Sequence, residues 1–371
     1  MKFSIDRAAL LRAVNHVQGV VEKRNTVPIL SNVLMKAEDG VLALAATDMD
    51  LEMNEAVAAQ IEQPGATTVP AHMLHDIVRK LADDASVSFE LAPDGYSMMV
   101  KSGRSNFKLS CLPVADFPEI GAGDLPSEFS ISSSDLRALI DRTKFAMSTE
   151  ETRYYLNGIY LHAVENEGVT LLRAVATDGH RLSRYEMPCP AGAENIPGII
   201  VPRKAVLEIR KLIEEAADTI QINISESKIR FTFDHIVMTS KLIDGTFPDY
   251  DRVIPKGNDK VVELDPKVFT SAIDRVSTIS DGKTRAVKIA MNGKVMTLSA
   301  STPEAGSATE EVEISSDANM EIGFNARYLL DITSQIEGPG CRITLADSAS
   351  PTIIQDNSDP SALYVLMPLR V

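Results

Sequence analysis

Phe3-Ser4-Ile5-Asp6, followed by Leu10, Val14 and Val17, decides the fold, because its pattern returns twice at intervals of about 130 residues. The second copy is Phe129-Ser130-Ile131-Ser132 with Leu136, Ile140 and Thr143. The third is Val262-Glu263-Leu264-Asp265 with Phe269, Ile273 and Val276. In each copy two alternating apolar residues give way to an i, i+4, i+7 stripe, so a strand feeds an amphipathic helix. The period exceeds any solenoid repeat and matches a whole domain. The chain reads as three versions of one domain.

Other landmarks keep the register. Val69-Pro70, Val201-Pro202 and Gly323-Phe324 each open a second helical stripe, reaching Leu74, Val206 and Tyr328. Ala46-Thr47-Asp48 returns as Ala176-Thr177-Asp178, and Asp116-Phe117-Pro118 as Thr246-Phe247-Pro248. Alternation marks strands at 41–44, 87–90, 219–224 and 229–233, and turn signals such as Glu38-Asp39-Gly40 and Met291-Asn292-Gly293 separate the runs. Polar stretches at Gly121–Pro126 and Pro255–Asp259 place the boundaries, giving domains at 1–125, 126–256 and 257–371. The expected class is α+β, each domain carrying two short helices packed on antiparallel sheets.

Among 371 residues, 44% are hydrophobic, ordinary for a globular core, and no apolar run approaches the ~18 residues of a membrane span. The N-terminus lacks the apolar stretch of a signal peptide. Cys111, Cys189 and Cys341 are far apart and odd in number, so they read as reduced core thiols and the expected compartment is the cytoplasm.

The net charge of −15 argues at first against a nucleic-acid partner. Its distribution argues the other way. Helices expected at 6–18, 71–82 and 134–148 each carry one excess base, 202–213 carries three, and 265–280 and 324–336 are neutral. The helices thus hold about +6 and everything else about −21 of the −15 total. If the helices share a face, that face is basic on an acidic chain.

Thr177-Asp178-Gly179-His180-Arg181-Leu182 is the densest polar cluster. An Asp178–His180 acid–base dyad is one reading. A turn, with Asp178 bonding its own backbone and Gly179 supplying positive φ, is the plainer one. Nucleophile-elbow, phosphate-loop and zinc-spacing motifs are missing, so neither catalysis nor a metal or other cofactor is expected. Arg153-Tyr154-Tyr155 joins aromatic and basic character, with the two tyrosines expected on opposite faces of a strand. The segment 363–371 is unusually apolar for a chain end. It reads as a last strand leaving a Met/Pro/Leu patch at its rim.

Together the triple repeat, Arg153–Gly158, Ala176–Leu182, Ile200–Lys204, Phe247–Tyr250 and Tyr364–Arg370 resemble the bacterial DNA polymerase III beta subunit family, the replication sliding clamps, over the whole chain. The resemblance implies a closed ring, a head-to-tail homodimer around double-stranded DNA that tethers the replicative polymerase. It implies as partners the DNA polymerase III alpha subunit, the clamp loader, other polymerases and mismatch-repair proteins, and no membrane. It places Arg24, Arg203 and Lys204, with Arg137 and Arg210 on the helices, at DNA. It pairs Phe107 and Leu109 of the first domain with Thr278 and Ile279 of the next subunit. It also implies a pocket for short linear motifs between the second and third domains. Leu156, Thr177, Gly179, His180, Arg181 and Leu182 belong to one side, Pro248, Arg252 and Val253 to another, and Val365, Met367, Pro368, Leu369 and Arg370 to the C-terminal tail.

Some positions depart from the family's pattern. Glu150 stands where a polar uncharged residue is frequent, and Asn106 and His72-Met73 where basic residues are. Ala349 and Pro351 stand at the pocket where Val and Ser occur. Two other readings compete: a clamp-fold paralogue differing at Ala349 and Pro351, and a hydrolase using Asp178 and His180.

Overall fold

A computed structural model describes residues 1–121, 123–215, 218–280, 285–303 and 305–370. The first repeat runs β1 (Lys2–Asp6), α1 (Arg7–Gln18), β2 (Asn32–Glu38), β3 (Val41–Thr47), β4 (Leu51–Ala58), β5 (Gln60–Gln63), β6 (Gly65–Pro70), α2 (Ala71–Lys80), β7 (Ser86–Leu91), β8 (Ser97–Ser102) and β9 (Ser105–Ser110). The second runs β10 (Ser127–Ser132), α3 (Ser133–Asp141), β11 (Gly158–Asn166), β12 (Val169–Thr177), β13 (Arg181–Pro188), β14 (Ile199–Pro202), α4 (Arg203–Leu212), β15 (Thr219–Ile224), β16 (Lys228–Phe233) and β17 (Ile236–Lys241). The third runs β18 (Lys260–Leu264), α5 (Pro266–Ser277), β19 (Ala286–Asn292), β20 (Val295–Thr302), β21 (Gly306–Glu313), β22 (Asn319–Asn325), α6 (Ala326–Thr333), β23 (Cys341–Leu345), β24 (Thr352–Asp356) and β25 (Asp359–Leu366). The α+β class and the strand–helix–strands–helix–strands order expected from the repeat are both present.

Each first helix starts at the same repeat position for the same reason. The Asp6 carboxylate accepts from Ala8 N and Ala9 N, Ser132 Oγ from Asp135 N, and the Asp265 carboxylate from Lys267 N and Val268 N. These caps satisfy amides that the first turn leaves without partners.

The chain folds as two compact units that cut across the repeats. One comprises Met1–Arg137, Pro190–Pro197 and Lys204–Leu242. It contains a five-stranded sheet, β5-β1-β7-β8-β9, and an eight-stranded sheet, β10-β15-β16-β17-β4-β3-β2-β6. The eight-stranded sheet passes from the second repeat into the first through β17 against β4, with Met238 opposite Met53. The other unit comprises Ala138–Cys189, Gly198–Arg203 and Ile243 onward. Its sheets are β14-β11-β12-β13-β25-β24-β23-β18 and β21-β20-β19-β22. Here β13 of the second repeat pairs with β25 of the third, Ser183 opposite Tyr364. Continuous sheets joining repeats were not foreseen from sequence. They require cross-strand neighbours far apart in the chain, which local periodicity does not encode.

Four expectations need correction. The helix expected at 134–148 ends at Asp141, and a 3-10 turn follows at Lys144–Ala146. Thr143 between them is fully buried, with φ −121° and its hydroxyl donating to Leu139 O at 2.5 Å, a back-bond that competes with helix continuation. Tyr154 and Tyr155 lie in a kinked 3-10 segment, Glu151–Leu156, not a strand. The third copy's second helix is capped by Asn325, so Leu329 and not Tyr328 occupies the buried position of Leu74 and Val206. Arg7, counted among the basic helix residues, is consumed internally: it donates to Val78 O, Arg79 O and Asp83. Val371 lies outside the described residues.

The first unit holds α1 against the second repeat through a buried cluster. His16 Nδ1 lies 2.8 Å from Glu55 Oε2, and His16 Nε2 lies 3.3 Å from Glu215 Oε2. His235 approaches the other Glu55 oxygen at 3.5 Å. Burial alone pulls the His16 pKa down, but the two carboxylates outweigh it and the net shift is upward from 6.5. A raised histidine pKa contributes stability that is full below the unfolded value near 6.5. That stability is lost as pH climbs through the higher folded value. Removing the imidazole leaves Oε2 of Glu55, a residue 3% exposed, without its partner and only His235 at the other oxygen, a change that costs about 3 kcal/mol. His16→Gln should therefore melt well below the parent at pH 6, and the gap should narrow at pH 9 in parallel thermal melts.

Candidate functional site

The polar cluster at 177–182 is a turn. Gly179 N donates to Thr177 Oγ1, while His180 N and Arg181 N donate to Asp178 Oδ1. The first repeat has the same bonds: Met49 N to Thr47 Oγ1, and Asp50 N and Leu51 N to Asp48 Oδ1. Both turns need a left-handed residue, Gly179 at φ +88° and Met49 at φ +81°. The second Asp178 oxygen accepts from Arg181 Nε at 3.1 Å. This carboxylate is occupied by its own turn, so the Asp178–His180 dyad is replaced by the plainer reading.

Arg181 is a buried anchor. Besides Asp178 it donates to Asp331 Oδ2 at 2.5 Å and to Phe145 O at 2.6 Å, and its guanidinium lies 4.3 Å from the Tyr328 ring centroid. The His180 ring also stacks on Tyr328, centroids 6.3 Å apart. Tyr328 and Asp331 thus fix the turn. The misplaced third-copy register hid them, and Asn325 as a helix cap was the signal that could have found them.

Beside the turn lies a small apolar floor: Leu156, Val175, Leu182, Ile200, Phe247, Tyr250, Leu363 and Val365 are buried in one cluster, flanked by Tyr155 and Ile353. Leu156, Leu182 and Val365 of the expected pocket belong to this floor, and Thr177 and Arg181 are structural groups within the turn. Of the other expected pocket residues, Met367 is 39% and Val253 49% exposed, Gly179, His180, Pro248, Arg252 and Arg370 are exposed, and Pro368 and Leu369 are half-buried. The tail is tied down, since Met367 N donates to His180 O and Leu369 N to Gly323 O. Arg252 is held by Asp249 at 2.7 Å.

The corresponding place in the first unit is polar. Glu52, Asn54, Val237 and Thr239 stand at the repeat positions of Leu182, Arg184, Leu363 and Val365, and Ile120 N caps Glu52 at 2.7 Å. One repeat junction has an apolar floor and the other does not.

The five basic residues expected at DNA fall into different settings. Arg24 is exposed on the loop after α1, and Arg137 is exposed on α3. Arg210 is bound to Glu214 at 3.0 Å. Lys204 is not a free cation: its ammonium donates to Val20 O at 2.8 Å, to Asp48 at 2.6 Å and to Glu22, and these partners outweigh burial to raise its pKa. Arg203 opens a separate cleft of about 410 Å³.

Two sheet edges complete the picture. Among the described residues β9 pairs only with β8 and β21 only with β20. Phe107 is half-buried and Leu109 buried on the β9 edge, while Thr278 is exposed and Ile279 half-buried just after α5.

Three homologous repeats, helices on antiparallel sheets, and turns in place of a reactive centre define a DNA clamp, a non-catalytic processivity factor. The chain belongs to the DNA polymerase III beta subunit family: that family's N-terminal domain matches residues 1–121, its central domain 130–249 and its C-terminal domain 251–370. The beta sliding clamp of Caulobacter vibrioides is 53% identical over 372 residues, covering 100% of both chains, and that of Escherichia coli K12 is 40% identical with the same coverage. A crystal structure of the Caulobacter crescentus beta sliding clamp superimposes with a TM-score of 0.98 at 53% identity, covering 100% of this chain and 99% of that one. The DNA polymerase III subunit beta of Bartonella birtlesii, solved bound to griselimycin, gives a TM-score of 0.97 at 48% identity over 100% of both chains. The function is that of a replication sliding clamp, and the family forms dimers and binds DNA and polymerases.

Proposed function

We propose that two copies close the ring by pairing β9 of one protomer with β21 of its partner. The observation that carries this reading is the sheet pattern: both internal junctions join the third strand of one meander to the equivalent of β4, and β9 and β21 are the pair left over. Carrying the Met238–Met53 and Tyr364–Ser183 registers onto these edges sets Phe107 opposite the partner's Ala308 and Lys108 opposite the partner's Ser307. Lys108 on β9, with Arg104 in the turn just before it, then faces a strand bearing Glu310, Glu311 and Glu313, a complementary pair of charges. A Lys108→Cys, Ser307→Cys chain, with Cys189 changed to Ser, should give covalent dimers with a short bismaleimide. Lys108→Cys with Glu313→Cys, offset by about 20 Å along the strand, should not. The reverse outcome removes this register.

The apolar floor at Leu156, Leu182 and Val365, rimmed by His180, Val253, Met367 and Pro368, suits the leucine and phenylalanine side chains of a short linear motif. The alpha subunit of DNA polymerase III, the clamp loader, other polymerases and mismatch-repair proteins are the proposed carriers of such motifs. Griselimycin, bound by the Bartonella birtlesii relative, is proposed as a ligand of this chain too. Contact with duplex DNA is sequence-independent and salt-sensitive, weak enough to slide, while retention is topological. Arg24, Arg137 and Arg203 are the exposed or cleft-lining cations best placed to supply it. Tethering raises the polymerase's effective concentration at the template without new chemistry.

A further inference from the structure

We propose that Arg184 extends the apolar floor by one subsite, which takes the carboxylate of an aspartate or glutamate flanking the apolar anchors of a bound linear motif. This rests on the reading of the floor as a motif site and adds a specificity-determining residue to it. The side chains of β13 alternate between the two faces of its sheet. Tyr185 packs on the core of the third repeat, while Leu182 belongs to the floor, so Arg184 and Glu186 share the floor's face. The register sets Arg184 opposite Leu363, itself a floor residue. It stands about 7 Å along the strand from Leu182. The apolar surface therefore runs into a guanidinium.

That guanidinium lacks partners. Arg184 Nε is buried without a hydrogen bond, and Glu186 Oε1 lies 3.8 Å from Nη2, too far for one. The groups around it are committed elsewhere. Glu186 Oε2 accepts from Arg173 Nε at 2.9 Å, and the Tyr250 hydroxyl is shared between Arg173 Nη1 and His162 Nε2, each at 2.9 Å. Asp251 is 60% exposed and lies 4.0 Å from Arg173. Two guanidiniums thus share one buried carboxylate. Burial, joined by the Arg173 charge, lowers the Arg184 pKa in spite of Glu186.

The first unit shows the same place without such a group. Asn54 stands at the position of Arg184 and donates to Glu52 at 2.8 Å, and Ala43 and Ala56 stand where Arg173 and Glu186 do. The charged cluster accompanies the apolar floor and is missing where the floor is missing. A buried cation short of hydrogen bonds calls for an oxyanion, and the fork of arginine matches a carboxylate. The Arg184 side chain keeps a 17% opening to solvent through which one can enter. An acidic residue of the motif is the occupant because the subsite is continuous with the floor. An extended peptide advances about 3.3 Å per residue, so a carboxylate roughly two positions from an anchor spans the distance.

The test uses labelled peptides that keep one Leu–Phe anchor pair and carry a single Glu, or Gln as its control, at each flanking position in turn. They are titrated by fluorescence anisotropy into full-length dimers of the parent, Arg184→Gln and Arg184→Lys. In the parent, one Glu position should bind about 10-fold tighter than its Gln control, the gain of a hydrogen bond between charged groups. Arg184→Gln should erase that preference, so that the two peptides bind alike, and Arg184→Lys should keep part of it. The comparison within the parent depends on no variant folding. A parent that binds the Gln peptides but favours Glu at no position would sink the subsite alone. A Glu preference that survives in Arg184→Gln would also overturn it, giving the carboxylate to the exposed Arg252 or Arg370. Peptides that fail to bind the parent at all would sink the motif floor beneath it.

Discussion

Phe107→Asp should turn the dimer into a monomer. Phe107 is half-buried on β9, whose outer edge has no strand beside it among the described residues. The register carried over from the internal junctions puts the phenyl ring against the partner's Ala308, at the place filled by the fully buried Met238 and Met53 in the first unit. A carboxylate there would be desolvated without a partner, beside a strand already carrying Glu310, Glu311 and Glu313. Such a change costs several kcal/mol, and at about 1.4 kcal/mol per tenfold it should raise the dimer dissociation constant at least 100-fold at each seam. Sedimentation at micromolar concentration should find single chains with the parent's circular dichroism. A stable Phe107→Asp dimer would mean that the ring closes elsewhere.

Ending the chain at Leu366 should remove linear-motif binding and leave the dimer. β25 ends at that residue, so the sheet β13-β25-β24 keeps all its strands. What is lost is the rim. Met367 and Pro368 follow Val365 of the apolar floor within three residues, and the bonds from Met367 N to His180 O and Leu369 N to Gly323 O pin the tail. Interface anchors of this kind contribute 2 kcal/mol or more each, so losing two should weaken a polymerase-derived peptide at least about 100-fold by fluorescence anisotropy. Normal peptide affinity in the truncated dimer would move the motif site away from this floor.

Much of the fold was legible because the repeat displays it three times. The capped helix starts at Asp6, Ser132 and Asp265, and the twin turns at Thr47 and Thr177, are local devices whose chemistry lies within a few residues. The helix charge bias was legible as a sum but not residue by residue. Arg7 and Lys204 look like free cations in sequence, and each is consumed by carbonyls and carboxylates distant in the chain. Likewise the apolar character of the tail was legible, but not the buried cluster it joins. Why the junction at Leu182 and Val365 is apolar while that at Glu52 and Thr239 is polar depends on which strands meet, and that pairing is set by tertiary register. The shift of one residue between Tyr328 and Leu329 shows the same limit, since a worn repeat loses its phase before it loses its fold.

Encirclement is the central claim, and topology tests it most directly. Rings loaded onto a nicked circular duplex by the clamp loader, then freed of the loader by gel filtration, should stay on the circle. They should leave within minutes once a restriction enzyme linearises it, and they should stay when both ends of the linear form are blocked by bound protein. Equal retention on circular and open linear DNA would contradict the account, because binding would then come from contacts and not from a closed ring.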